Sequence, residues 1–71
     1  MTFGNKIRNR REELGLTQQE LAQRSRLSQG YISILENEDY IPKSTTLLVL
    51  ALALEMPYTE LLKYTEERSM V

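Results

Sequence analysis

Two short helical patterns separated by only a few residues constrain this chain more than any other feature. They lie in the stretch TQQELAQRSRLSQGYISILEN, which begins at Thr17. Thr17 is a hydroxyl residue suited to cap a helix N-terminus, and Glu20 follows three places on, so the pair predicts a capping box and a helix that begins at Gln18. Ser28 predicts a second cap. The connection between the two helices leaves room only for a tight turn.

The second of these helices is predicted to have one buried face and one free face. Ile32 and Leu35 stand at helical spacing from Leu27 and Tyr31, so that side of the helix can be buried. The positions left free are Gln29, Gly30, Ser33 and Ile34. A free face on the second helix of a helix-turn-helix is the face that meets a DNA groove. Ordinary surface polarity is the alternative explanation for Gln29 and Ser33.

The segment before this pair predicts an amphipathic first helix. Phe3, Ile7, Arg11 and Leu14 recur at intervals of four, four and three residues, and Gly15 is a suitable C-terminal stop. Because Arg11 lies on the apolar stripe, its charge needs a partner. Glu36 at the end of the third helix is the candidate, in a partly buried ion pair that ties the first helix to the third. The alternative is that Arg11 extends its head group past the stripe to water.

The second half of the chain predicts two more helices. A loop that contains Pro42 precedes the fourth helix, and Pro57 marks the break before the fifth. The polar tail 66–71 is expected to fray. No segment alternates as a strand does, so the sequence predicts an all-α fold in a single domain over residues 1–71. Its helices are predicted over residues 3–14, 18–25, 29–37, 44–54 and 58–65.

The fourth helix is apolar on every side, which is hard to bury in a chain of 71 residues. Val49, Leu52 and Met56 form a second apolar stripe at positions i, i+3 and i+7. Exposed apolar stripes commonly mark interfaces, so we expect a homodimer contact there, with help from Tyr58. The alternative is that the last helix or the tail covers the stripe within one chain.

Composition excludes several classes of site. The chain has no Cys and no His, which removes disulfides, zinc fingers and imidazole acid–base chemistry. Neither a glycine-rich phosphate loop nor a nucleophile constellation is present, so we expect no enzyme, cofactor, metal site or small-molecule ligand. The sequence lacks an apolar run of 18 residues and a secretory signal. We therefore expect a cytoplasmic protein with no membrane partner.

Charge is divided unevenly between the two halves of the chain, although the net charge is only −1. Residues 1–35 carry six basic and three acidic side chains, whereas residues 36–71 carry three basic and seven acidic ones. The positive half coincides with the helix-turn-helix, as phosphate binding requires. The alternative is that these charges only solvate the faces of a small helical domain.

Taken together, these residues resemble the Cro/phage-repressor (Xre-type) helix-turn-helix family over roughly residues 4–64. The LGLTQQELA block, the YIS block, Glu36-Asn37, the AL pair and the ELL near the end fall in the family's register together. The resemblance implies a compact, five-helix, lambda-repressor-like domain of bacterial or phage type. In that family the second helix crosses the DNA backbone and the third enters the major groove.

The resemblance also implies which residues touch double-stranded DNA. Gln18 would meet a phosphate or the end of a base edge, and Ser28 would bind phosphate at a helix N-terminus. Gln29 would pair with adenine, and Ile34 would meet a thymine methyl. The implied contact set is Gln18, Gln19, Ser28, Gln29, Gly30, Tyr31, Ser33, Ile34, Asn37 and Lys43.

Several positions depart from the family pattern. Glu38, Asp39, Tyr40 and Ile41 stand where the family often has Gly and basic residues, which predicts weaker nonspecific affinity. Gly30 removes a reading side chain, and Lys43 replaces a small capping residue, so Ser44 is expected to cap the fourth helix.

The sequence thus predicts a repressor-like transcriptional regulator that binds a pseudo-palindromic operator as a homodimer and associates with the nucleoid. One alternative is a protein-interaction or regulatory helix-turn-helix with weak DNA affinity. Another is an engineered DNA binder on this scaffold.

Overall fold

The computed structural model describes the backbone of residues 2–38 and 40–69 and the side chains through residue 64. All regular structure in these residues is helical, which confirms the predicted all-α class. The helices are α1 (Phe3–Glu13), α2 (Gln18–Ser25), α3 (Gln29–Asn37), α4 (Ser44–Ala53) and α5 (Tyr58–Ser69).

Side-chain caps place the starts of α2 and α3. The Thr17 hydroxyl accepts a hydrogen bond from the Glu20 backbone N–H at 3.0 Å, and the Glu20 carboxylate accepts one from the Thr17 N–H at 2.8 Å. This is the capping box that the sequence predicts. The Ser28 hydroxyl accepts from the Tyr31 N–H at 3.1 Å. Because a capping side chain satisfies one of the free N–H groups in each first turn, α2 and α3 begin where the sequence places them.

Some helix ends differ from the prediction. α1 ends at Glu13, followed by a left-handed Gly15, and α4 ends at Ala53 because Glu55 takes a left-handed conformation. α5 continues to Ser69 rather than stopping at residue 65, since no Gly or Pro follows to end it. Residues 70 and 71 of the predicted frayed tail lie outside the described residues.

The expected cap of α4 is also wrong. Lys43 occupies the N-cap position and makes no side-chain capping bond, and Ser44 is already the first helical residue. Backbone direction decides this, because Lys43 is extended and its carbonyl accepts the first helical bond, from Leu47 at 3.0 Å.

The core lies where all five helices meet. Its fully buried large side chains are Ile7, Leu21, Ile32, Leu35, Leu50, Leu54 and Leu61. Helix α4 buries one side against α2 and α5 but cannot bury all of its apolar residues. Leu48 and Leu52 stay 49% and 73% exposed. An apolar surface therefore remains on α4.

Helices α1 and α3 cross at unusually short range at Gly4. A Cβ placed on Gly4 would lie 2.5 Å from the carbonyl oxygen of Leu35 and 2.7 Å from that of Glu36. Only glycine fits this contact without backbone movement. The crossing brings Arg8 and Arg11 of α1 to the C-terminal end of α3, where the candidate site is built.

Candidate nucleic-acid interface

Helix α3 presents the face that the sequence predicts. Ile32 and Leu35 are fully buried, whereas Gln29, Gly30 and Ile34 are exposed and Ser33 is half-buried. The exposed positions follow one another at helical spacing, so they form one continuous outward surface.

Gly30 lies on this surface with open space in front of it. A Cβ there would meet no atom within 4 Å among the described residues, and the backbone is helical. Gly30 is the second residue of α3, and no contact among the described residues requires glycine there, in contrast to Gly4.

A buried carboxylate organises the region behind this face. The Glu36 side chain is 0% exposed and accepts hydrogen bonds from Arg11 Nε at 2.8 Å and Arg11 Nη2 at 3.1 Å. Gln18 Nε2 donates to it at 3.1 Å, and Arg8 Nε lies 3.6 Å away. Arg11 also donates to the carbonyl of Leu16 at 2.7 Å. The predicted Arg11–Glu36 pair is thus present, within a network that joins α1, α2 and α3.

The network raises the pKa of Arg11, first through its hydrogen bond to Glu36, with burial acting in the opposite direction. It also limits what Gln18 can do. Because Glu36 is an acceptor, Gln18 turns its NH₂ group toward it, and the second hydrogen of that NH₂ group is left for another acceptor. Gln19, beside it, is exposed. Both residues lie in the first turn of α2, where backbone N–H groups favour an anion.

Asn37 is committed to the protein rather than to phosphate. Its Nδ2 donates to the Ser33 carbonyl at 2.9 Å and to the Ser33 hydroxyl at 3.2 Å, and its Oδ1 accepts from Arg8 Nη2. The phosphate contact that the resemblance implies for Asn37 therefore finds its side chain already engaged.

Tyr31 and Lys43 occupy the margin of the face. The Tyr31 ring is half-buried and packs edge-on against Tyr40, with centroids 6.2 Å apart and an interplanar angle of 76°. Burial raises the pKa of Tyr31, and the hydrogen bond to Tyr40 acts in the same direction. Lys43 is exposed. Tyr31 thus anchors the loop after α3, while Lys43 points its charge to solvent.

The basic side chains of α1 do not form a free positive surface. Arg10 donates to the carbonyl oxygens of Leu54 at 2.9 Å and Glu55 at 3.0 Å, and Arg24 lies 3.1 Å from the Glu55 carboxylate. Lys6 pairs with Glu60 at 3.8 Å. Together with the Glu36 network, these contacts give the cations carboxylate or carbonyl partners, and Arg10 binds the C-terminal end of α4, which attracts positive charge. The availability of this positive charge to DNA stays a prediction.

Arg26 is a functional candidate that the sequence reasoning missed. It forms the turn between α2 and α3 in a left-handed conformation, with φ of 61°, and is exposed. Among residues 2–38 and 40–64, Arg26, Lys43 and Lys63 are the cations with no carboxylate partner. Two of these three flank α3 in sequence. The signal in the sequence was the place of Arg26 two residues before the cap at Ser28.

The predicted dimer stripe is divided by the structure. Val49 and Leu52 line a groove of about 650 Å³ between α2 and α4, together with Leu27 and Arg26. Met56 and Tyr58 instead pack against the core of their own chain. The spacing argument fails for Met56 because α4 ends at Ala53, so Met56 is no longer on the helix that carries the stripe.

Searches for other kinds of site find little in the described part of the chain. It contains no group of three or more acidic residues arranged to hold a metal ion. None of its helices combines the length and the apolar character that crossing a membrane requires.

Sequence comparison places the chain among helix-turn-helix proteins. The helix-turn-helix family pattern matches residues 7–61. The chain is 42% identical over 64 residues to the uncharacterised HTH-type transcriptional regulator y4dJ of Sinorhizobium fredii, covering 90% of this chain and 83% of the relative. It is 41% identical over 54 residues to the immunity repressor protein of Bacillus phage phi105, covering 76% of this chain but only 38% of the repressor.

Solved structures share the fold. The restriction-modification controller protein C.AhdI from Aeromonas hydrophila superposes with a TM-score of 0.78 at 34% identity, over 83% of this chain and 89% of the controller. The clp gene regulator ClgR from C. glutamicum gives a TM-score of 0.77 at 33% identity, over 97% of this chain and 88% of the regulator.

Proposed function

This chain belongs to the Xre-type helix-turn-helix family of DNA-binding transcription regulators, and we propose that it recognises specific duplex sequences with α3 in the major groove. The observation that carries the proposal is the outward face of α3. Gln29, Gly30 and Ile34 are exposed there on a helix that is capped at its start and fastened by Glu36 at its end. A face held in this way is suited to present side chains in a fixed geometry.

The chemistry of the face supports readout of base edges. Gln29 can donate to and accept from adenine at once, and Ile34, which is 42% exposed, can contact a thymine methyl. The open space over Gly30 allows the helix backbone to approach the bases. Arg26 and Lys43 supply the unpaired charge for neighbouring phosphates.

We further propose that the protein acts in the cytoplasm as a repressor-like homodimer, with the Leu48 and Leu52 surface of α4 covered by the second copy. These two side chains are the largest apolar exposure on α4, and exposed apolar surface marks contact sites. Two copies would bind a pseudo-palindromic operator with half-sites about one helical turn, roughly 10 bp, apart. In sedimentation at micromolar concentration we expect a dimer that Leu52→Glu converts to a monomer. A monomeric wild-type chain, unchanged by Leu52→Glu, would refute this interface.

The test of DNA recognition begins with selection of bound duplexes from a random pool. Affinity for the selected duplex is then measured by fluorescence anisotropy over a salt series. With two unpaired cations per copy near α3, a dimer is expected to give a slope of about −4 in log affinity against log salt. Gln29→Ala should lower the affinity for the selected duplex by about tenfold, which is the contribution of one good base contact. Gln23→Ala, an exposed amide on α2, is the matched control and should have little effect.

A second candidate function is a protein-interaction module with weak DNA affinity. It is favoured because carboxylates pair with five of the basic side chains, namely Lys6, Arg8, Arg10, Arg11 and Arg24. Absence of duplex binding even at low salt would support that function and exclude the first. Equal effects of Gln29→Ala and Gln23→Ala would show that α3 does not read the sequence.

A further inference from the structure

The hydrogen bonds behind α3 determine which way the Asn37 amide faces. Arg8 Nη2 donates to Asn37 Oδ1, and a guanidinium has donors only. Arg8 is itself held by Glu36, at 3.6 Å from the carboxylate and 3.5 Å from the carbonyl oxygen. The Asn37 oxygen therefore faces Arg8, and its NH₂ group is left to donate to Ser33.

This arrangement biases the hydrogen-bond polarity of Ser33. Its Oγ accepts from Asn37 Nδ2 at 3.2 Å, which uses one of its two lone pairs, so the hydroxyl hydrogen and the second lone pair point away from Asn37. Ser25 shows the usual alternative, because its hydroxyl donates back to the carbonyls of Leu21 at 2.8 Å and Ala22 at 3.3 Å. In the residues that the structure describes, no such acceptor takes the Ser33 hydroxyl. Its donor is therefore available on the outward side of α3.

We propose that Ser33 reads DNA preferentially as a hydrogen-bond donor, because the Asn37 bond occupies one of its two lone pairs and strengthens its own O–H, and so favours a base that offers an acceptor. In the major groove, guanine and adenine offer N7 and thymine offers O4, whereas cytosine offers only its N4 donor. At the position facing Ser33, cytosine is therefore the least favoured base. The inference rests on the proposed function, since it requires α3 to lie in the groove.

The positions beside Ser33 do not carry this constraint. The Gln29 amide has both donors and an acceptor, and can rotate to suit a base, while Ile34 is apolar. Asn37 acts as a positioning residue rather than a phosphate ligand. The interior of the protein, through Arg8, thereby sets one element of the sequence preference.

The test starts from the selected duplex, with each base pair varied in turn. Ser33→Ala identifies the position that Ser33 reads, where discrimination against cytosine should fall by about 2- to 12-fold, the range for one hydrogen bond. Asn37→Asp is nearly isosteric and still accepts from Arg8, but it loses the donor to the Ser33 carbonyl and accepts from the Ser33 hydroxyl instead of donating to it. The Ser33 hydroxyl would then donate to Asp and present its lone pairs to DNA, so preference at that position should move toward cytosine.

Asn5→Asp is the matched control, because Asn5 and Asn37 line the same cleft between α1 and α3. Asn5→Asp adds the same charge without changing the hydrogen-bond polarity of Ser33. It should therefore lower the affinity for all DNA sequences alike. Asn37→Ala is a second variant. It frees the Ser33 hydroxyl from Asn37, so most of the discrimination against cytosine should be lost. Circular dichroism checks that each variant folds.

Two outcomes would overturn the inference while leaving the proposed function intact. One is Ser33→Ala with unchanged preference at every position. The other is Asn37→Asp and Asn37→Ala keeping the wild-type preference, as Asn5→Asp does. A wild-type chain that binds no duplex at low salt overturns the proposed function itself, and this inference with it.

Discussion

The Glu36 network makes a sharp prediction about stability, because a single carboxylate accepts four donor contacts. Replacing Glu36 with Gln removes the charge that faces Arg11 and places an NH₂ group beside the Arg11 guanidinium, which only donates. The Glu36 side chain is 0% exposed and that of Arg11 is 12% exposed. Solvent therefore cannot take the place of the lost carboxylate.

The expected loss is a large part of the total stability. Removing one partner of a buried ion pair costs about 3–5 kcal/mol. A chain of 71 residues has about 4–11 kcal/mol of folding free energy at typical values per residue. In a domain of this size each kcal/mol moves the melting temperature by about 4–8 °C, so Tm should fall by at least about 12 °C.

The assay is urea and thermal unfolding followed by circular dichroism at 222 nm, pH 7. Glu55→Gln is the matched control, because Glu55 also pairs with an arginine, at 3.1 Å, but is 61% exposed. It should cost no more than about 1 kcal/mol. The Arg11→Met, Glu36→Met double variant should recover stability relative to Glu36→Gln, since apolar replacement of a buried pair is commonly tolerated. Equal small losses for Glu36→Gln and Glu55→Gln would refute the reasoning.

Three further predictions concern glycine, the α2–α3 turn and pH. Gly30→Ala should raise the unfolding free energy by about 0.5–1 kcal/mol, whereas Gly4→Ala should lower it by about 1–3 kcal/mol in the same urea assay; the same sign for both would contradict the packing at α1 and α3. Arg26→Gly should stabilise the fold by about 1 kcal/mol, because φ there is 61°, while reducing the salt slope of DNA binding by about 1 per copy; an unchanged slope would exclude a phosphate contact. Because the fold raises the pKa of Tyr31, its neutral form adds stability that is complete below pH of about 10 and is lost as the pH rises through the folded-state value. Phenolate absorbance at 295 nm should show a tyrosine that titrates late and disappears in Tyr31→Phe, and a Tyr31→Phe variant with the wild-type titration would be the contrary result.

Local signals explain why so much of the reading helix pair was predictable. The capping hydrogen bonds of Thr17, Glu20 and Ser28 each join residues three positions apart in sequence. These caps therefore depend only on sequence neighbours. The buried side of α3 likewise follows from the spacing of Ile32 and Leu35. These elements were predictable because the residues that determine them are contiguous.

Long-range partners explain what the sequence did not predict. The sequence of α1 predicts a basic surface, yet Arg10 donates a hydrogen bond to the Leu54 carbonyl at the end of α4, 44 residues away in sequence. In the sequence Gly4 is an ordinary helical residue, and only the structure shows that the backbone carbonyls of α3 lie beside it. Asn37 matches a phosphate-contacting position, but the Arg8 donor that engages it comes from another helix. Such roles depend on helix crossings, which periodicity does not specify.

The most direct test of DNA recognition by α3 is an amide ¹H–¹⁵N NMR titration of the protein with its selected duplex. We expect the largest shift changes on residues 28–34 and Arg26, and much smaller ones with a scrambled duplex at higher salt. Shift changes that leave residues 28–34 unaffected while the duplex binds would contradict DNA recognition by α3.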